Sequence, residues 1–260
     1  MACDEPKLIV ERDDHVVTLT INREKRRNAL DAEVTGSLIE ALREADNDSG
    51  VYLVRITGAG QKAFCAGGDL ASDMSAGQGA VGAFESFGEL LLCMESMRTP
   101  LLAKVAGYCL GGGLGLALSC DLVIACEEAI FGTPEVRAGI FPMIIAPLIV
   151  KHAGPKRAME MMFCGRKVSA AEAMAMGFVN RVVPRAELDS LAEEISADIL
   201  AGSPVAIGIG RRALARTRGL PVGEATAKLI SELMKVVTSE DAMEGIQAFL
   251  QKRKPTWKGR

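Results

Sequence analysis

Aromatic and imidazole side chains are scarce in this chain of 260 residues, which has one Trp, two Tyr, eight Phe and two His. So few histidines give no basis for an imidazole metal centre. Neither His15, inside a strand-like run, nor His152, ahead of "AGP", has a Ser or Cys nucleophile signature beside it, and both read as structural. The seven cysteines (3, 65, 93, 109, 120, 126 and 164) lack CxxC pairs and Cys/His ligand spacing, so they read as reduced, buried thiols. Positive charge is not in excess either: 30 Lys and Arg against 33 Asp and Glu leave a net charge of -3. Nucleic acid and anionic membranes select basic surfaces, so neither is expected as the main partner. No apolar run is long enough to span a bilayer without glycine, proline or charge intervening. "MACDEPKLIV" has no basic n-region and no apolar h-region, which points to the cytoplasm. Small molecules and other protein subunits are the partners left.

What is present is an alternation of short strands and helices. "HVVTLTI" (15–21) and "YLVRIT" (52–57) predict strands, with "DAEVTGSLIEALREAD" (31–46) an amphipathic helix between them. "PLLAKV" (100–105), "DLVIAC" (121–126) and "GFVNRVV" (177–183) continue the strands, so an α/β fold is expected. The segment 71–80 is small and polar and reads as a loop. After Pro184 the pattern turns wholly helical, over roughly 185–201, 203–217, 221–236 and 239–250.

Two glycine-rich turns stand out. In "KAFCAGGDL", Gly67 and Gly68 follow a strand and loop, and Asp69 stands where a helix N-cap would. In "GYCLGGGLGLALSCDLVIA", Gly111 to Gly113 open an apolar helical run that contains a fourth glycine, Gly115. Amides at such turns lack ladder partners and are available to an anion or a polarised carbonyl. The dinucleotide fingerprint has a different glycine order, and a P-loop lysine is missing.

With "FGTPEVRAGI" and "AMAMGFVNRVVP", these segments follow one another in an order and spacing that resembles the crotonase (enoyl-CoA hydratase/isomerase) superfamily, from about Leu8 to the C-terminus. The resemblance implies a ββα spiral core over 1–195 and a C-terminal helical trimerisation region over 196–260. It also implies an acyl-CoA thioester substrate whose carbonyl is gripped by the amides of Gly68 and Gly112. Two preorganised N–H donors stabilise the enolate formed beside a thioester, and losing one typically costs about 3–4 kcal/mol of barrier.

The family's hydratases hold one water between two glutamates. The first belongs three residues after the middle glycine of the GGG turn, which here is Gly115, and the second twenty residues later, which is Glu135. One carboxylate shuttles one proton, whereas positioning and deprotonating water uses two. Glu135 alone therefore favours enoyl-CoA isomerase-type proton transfer. Hydration, with another acid from the loop after 71, is the alternative within the family, and a non-catalytic acyl-CoA-binding scaffold is the alternative outside it. "GIFPMIIAPLIV" (139–150) supplies an apolar wall expected to raise the Glu135 pKa, unless Arg137 pairs with it. For coenzyme A the resemblance places Ala66 and Gly68 near the adenine and pantetheine, Lys25, Arg26 and Arg27 beside the pyrophosphate, and Phe249 and Lys252 over the CoA of a neighbouring subunit. A lysine common after the first glycine turn is replaced by Ala71. No metal or redox cofactor is implied, and coenzyme A enters only as part of the substrate. A homotrimer or a dimer of trimers is expected.

Overall fold

The computed structural model describes residues 5–69 and 79–260. Two sheets form its frame. The larger has six strands in the order β1 (Leu8–Asp13), β2 (Val16–Ile21), β3 (Leu53–Gly58), β5 (Leu101–Val105), β7 (Leu122–Cys126) and β10 (Arg181–Val183). Only β1 and β2 run antiparallel in it; from β2 onward every neighbour is parallel. The smaller sheet orders β4 (Ala63–Cys65), β6 (Tyr108–Leu110), β8 (Ile130–Gly132) and β9 (Lys167–Ser169), parallel except for the last pair.

From β3 to β8 consecutive strands alternate between sheets. The chain passes from β3 to β4, from β5 to β6 and from β7 to β8; a helix returns it to the larger sheet after β4 and after β6, and after β8 it first adds β9 to the smaller sheet and then reaches β10. This is a ββα spiral, and it needs sharp corners between paired strands. At the β5–β6 corner Gly107 has φ +73°, and a Cβ there would lie 2.2 Å from the Lys62 carbonyl oxygen. Burial on both faces explains why β3, β5 and β7 read as apolar runs rather than as alternating patterns.

The predicted strands and C-terminal helices are in place within a few residues. The helices are Leu188–Leu200, Pro204–Thr217, Val222–Val237 and Glu240–Leu250, and the boundary expected at 195/196 falls inside the first of them. That helix is tied to the larger sheet by Arg55–Glu193 and Lys104–Asp189 ion pairs. One expected strand is shorter: 177–183 begins in a turn with Gly177 at φ +83°, and only Arg181–Val183 joins the sheet. The smaller sheet has no counterpart among the predicted elements, because three-residue strands carry too little periodicity to read. The predicted loop 71–80 lies mostly outside the described residues, but residues 79 and 80 start the helix Gly79–Ser96.

The helix Ala146–Cys164 is broken at Gly154, whose φ of 74° and ψ of 162° are not helical, followed by Pro155. Proline has no N–H to return to the preceding turn, so the two halves are separate rods. His152, beside this break, has a buried Nε2 with no hydrogen-bond partner. His15, by contrast, has its Nδ1 2.8 Å from the Gly50 carbonyl.

Candidate active site

Three glycines of "GGGLG", Gly111, Gly113 and Gly115, have a steric reason. Gly111 sits at φ +53°, and a Cβ on it would lie 2.7 Å from Glu135 Oε1. Gly112 begins the helix Gly112–Leu118, and its Cβ position is 3.6 Å from the backbone nitrogen of Gly68. Gly113 packs on β4, where a Cβ would lie 2.2 Å from the Cys65 carbonyl oxygen. The two glycine turns are thereby pressed together. Among the backbone hydrogen bonds described for turns and loops, neither the Gly68 nor the Gly112 amide has an acceptor.

The Gly67–Gly68 turn is held from the other side by the segment after the first spiral strand. Leu30 donates to the Gly67 carbonyl at 2.8 Å, Asp69 donates to the Leu30 carbonyl at 2.7 Å, and Ala66 donates to the Arg27 carbonyl at 3.1 Å. Arg23 locks this junction. Its buried guanidinium lies 3.0 Å from Asp31 and 2.9 Å from Asp69, and it also donates to the Ala29 carbonyl. The Asp69 carboxylate, expected at a helix N-cap, is thus engaged by Arg23. Asp31 caps the helix Ala32–Asn47 through the Val34 amide. Burial pushes the Asp31 carboxyl up, but the Val34 amide, Lys7 and Arg23 outweigh it and hold the pKa below its ordinary value.

Glu135 stands in the short 3-10 turn Pro134–Ala138 that follows β8. The turn is pinned behind by Thr133, whose hydroxyl donates to the Met161 carbonyl, and ahead by the Ile140 amide on the Glu135 carbonyl. The Oε2 atom is buried without a hydrogen-bond partner. Burial raises the Glu135 pKa, opposed only by the residue's own amide. No described ion pair joins Arg137 to it; the Arg137 side chain lies along Gly165 instead. A buried carboxyl with an unpartnered oxygen is suited to taking and returning a proton.

Glu135, Gly68, Gly112 and Ala66 line one cavity of about 740 Å³. Its remaining wall is largely apolar and includes Phe84, Phe87, Ile140, Phe141, Met143 and Ile145. Gly115 lies behind this wall. A Cβ there would be 2.2 Å from Ile145 Cγ2 and 3.3 Å from Phe87 Cζ, so the place of the absent carboxylate is filled by hydrocarbon. Cys65 and Cys109 are fully buried packing residues; burial pushes the Cys65 thiol up to about 12 and raises Cys109 as well.

The remaining candidates for coenzyme A lie outside the cavity lining. Lys25 and Arg26 are on an exposed 3-10 turn, Arg27 has φ +51° and sits 5.9 Å from the Tyr108 ring centre, and Lys252 follows the last helix. Phe249 is 82% exposed. Two site residues escaped the sequence. Arg23 gave no signal, because its two partners are 8 and 46 positions away. Phe87 gave none either, and Ile145 was read only as part of the apolar wall 139–150, without its place against Gly115.

Residues 11–260 match the family described as Enoyl-CoA hydratase/isomerase. A carnitinyl-CoA dehydratase of Salmonella paratyphi A is 36% identical over 265 residues, covering 97% of this chain and 98% of the relative. The crystal structure of enoyl-CoA hydratase from Bacillus anthracis superposes with a TM-score of 0.94 at 31% identity, over 98% of this chain and 100% of that one. An enoyl-CoA hydratase/carnithine racemase from Magnetospirillum magneticum does so with a TM-score of 0.89 at 31% identity, covering 99% and 97%. Among the described residues no cluster of three metal-ligating side chains occurs, and no helix is long and apolar enough to cross a membrane. Fold, paired glycine turns and similarity along nearly the whole chain lead to one assignment: the protein belongs to the enoyl-CoA hydratase/isomerase family of the crotonase superfamily.

Proposed function

We propose that the protein moves the double bond of an enoyl-CoA by single-carboxylate proton transfer. Glu135 removes a proton from C2 of a 3-enoyl thioester, and the negative charge passes to the thioester oxygen held by the Gly68 and Gly112 amides. The same carboxyl returns the proton at C4, leaving the 2-enoyl isomer with no atom gained or lost. No further cofactor enters this scheme, and coenzyme A arrives with the substrate. The observation that carries the reading is the packing at Gly115: the position of a second acid is blocked by Ile145 and Phe87. Among the described residues, the other carboxylate lining the cavity is Asp31, which Arg23 and Lys7 already engage.

The names of the relatives favour a second reading, reversible hydration, with an acid from 71–78 supplied at the site; Asp73 there lies outside the described residues. Mass spectrometry of 3-enoyl- and 2-enoyl-CoA after incubation in deuterated water separates the two. Isomer without the mass of water supports proton transfer, and a 3-hydroxyacyl-CoA product refutes it. A non-catalytic scaffold would show neither, and Glu135→Ala would cost it nothing.

Assembly belongs to the same reading. The C-terminal helices leave Val222, Ile230, Leu233, Met234, Ile246 and Phe249 exposed, and apolar side chains left open in such number mark an interaction surface. A homotrimer, or two trimers stacked, would cover it and bring Phe249 and Lys252 over a neighbour's coenzyme A.

A further inference from the structure

Gly111 and Gly115 are one helical turn apart, joined by the Gly115 amide on the Gly111 carbonyl at 3.1 Å. Glu135 Oε1 faces the Cβ position of the first and Ile145 Cγ2 that of the second, and both residues line the same cavity. The Phe87 ring spans the next face, with Cζ 3.5 Å from the Cβ position of Gly112 and 3.3 Å from that of Gly115. Ile145 itself is 3% exposed and packed into the core. It is therefore a fixed part of the wall. Water needs two or more polar partners to settle in a buried place, and the hydrocarbon on this side of Glu135 offers none.

We infer that Ile145, backed by Phe87, is the residue that selects the reaction outcome, by keeping water from the flank of Glu135 where a second acid would hold it. This rests on the proton-transfer reading above. Two consequences follow from a dry flank. The proton taken from C2 stays on Glu135 and is delivered to C4 before it exchanges with solvent. No water is poised to add its oxygen at C3 while C2 takes a proton.

The test compares wild type with Ile145→Ala, using 3-enoyl-CoA in deuterated water and counting deuterium in the 2-enoyl product. Wild type is expected to give well under one deuterium per turnover, and Ile145→Ala several-fold more, with 3-hydroxyacyl-CoA appearing as a side product. Equal deuterium content and no hydration in the variant would overturn the role of Ile145 while leaving the proton-transfer reading intact. Hydration by the wild type would overturn both. If Ile145→Ala folds poorly, Phe87→Leu removes the ring that backs Ile145 and is expected to shift deuterium content in the same direction, by less. A second readout does not need turnover: NMR titration of carboxyl-labelled glutamate in the unliganded protein. Water admitted beside Glu135 is expected to lower its titration midpoint in Ile145→Ala. An unchanged midpoint would refute the inference whether or not any substrate reacts.

Discussion

Replacing Gly115 by alanine puts a methyl carbon 2.2 Å from Ile145 Cγ2, 3.2 Å from its Cβ and 3.3 Å from Phe87 Cζ. Carbon atoms in favourable contact sit about 3.5–4.0 Å apart, so the first separation forces a side chain or the helix to move. Overpacking of this kind costs about 1–3 kcal/mol, while alanine in place of glycine within a helix returns about 1 kcal/mol. The single variant is therefore expected to be less stable by up to about 2 kcal/mol. Ile145→Ala alone leaves a cavity and is expected to lose about 2–5 kcal/mol. Once Cγ2 is gone, the methyl at 115 enters vacated space and keeps its helical advantage. The double variant is then more stable than the sum of the single losses by about 1–3 kcal/mol. Urea unfolding followed by circular dichroism, at one fixed subunit concentration, measures all four proteins. Additivity within about 0.5 kcal/mol would refute the claim that these two positions compete for one volume.

Four further outcomes are expected. Glu135→Gln is expected to lower isomerisation about 10²–10⁴-fold with little change in acyl-CoA binding by calorimetry. It is also expected to be more stable than wild type at neutral pH: the raised pKa means that the folded state favours the protonated acid, so the wild type loses stability as pH rises above the ordinary value of 4.5 and through the folded pKa. Below the ordinary value the advantage disappears, and thermal melts across pH check the sign. Arg23→Met leaves the buried carboxylates of Asp31 and Asp69 without this shared cation, and is expected to cost about 3–5 kcal/mol in denaturant titrations, with a fall in kcat as the Gly68 turn loosens. Gly113→Ala drives a Cβ into the Cys65 carbonyl, a backbone atom that cannot rotate away, and is expected to lower Tm and turnover together. Ile230→Glu with Leu233→Glu is expected to shift the protein to a smaller assembly in sedimentation velocity, whereas an unchanged sedimentation coefficient would refute the assignment of that face to subunit contact.

The sequence was legible where a signal is local. The strands β3, β5 and β7 announce themselves as apolar runs, and the four C-terminal helices start at Ser, Pro or acidic residues. Glu135 and the paired glycines were found because their spacing survives in the linear order. The smaller sheet was not legible, since strands of three residues have no period to detect. Nor was the reason for Gly115 complete: the sequence showed a carboxylate missing, but the Ile145 methyl that fills its place comes from a segment 30 positions further on. Arg23 is the same kind of case, a cation whose meaning depends on two distant acids meeting in space. His152 shows the converse, a histidine that reads as ordinary and proves to have an unpartnered buried nitrogen.

The break at Gly154 and Pro155 separates two duties that one unbroken helix would have coupled. The strand end before Glu135 is tied through Thr133 to Met161, on the far side of the break, and Val136 and Arg137 lean on Gly165 beyond it. Ile145 and the wall leading to it adjoin the near side. Changes of residue along 141–150 can thus resize the cavity without dragging Glu135 out of alignment. The break gives this scaffold a replaceable chamber mounted beside a fixed acid.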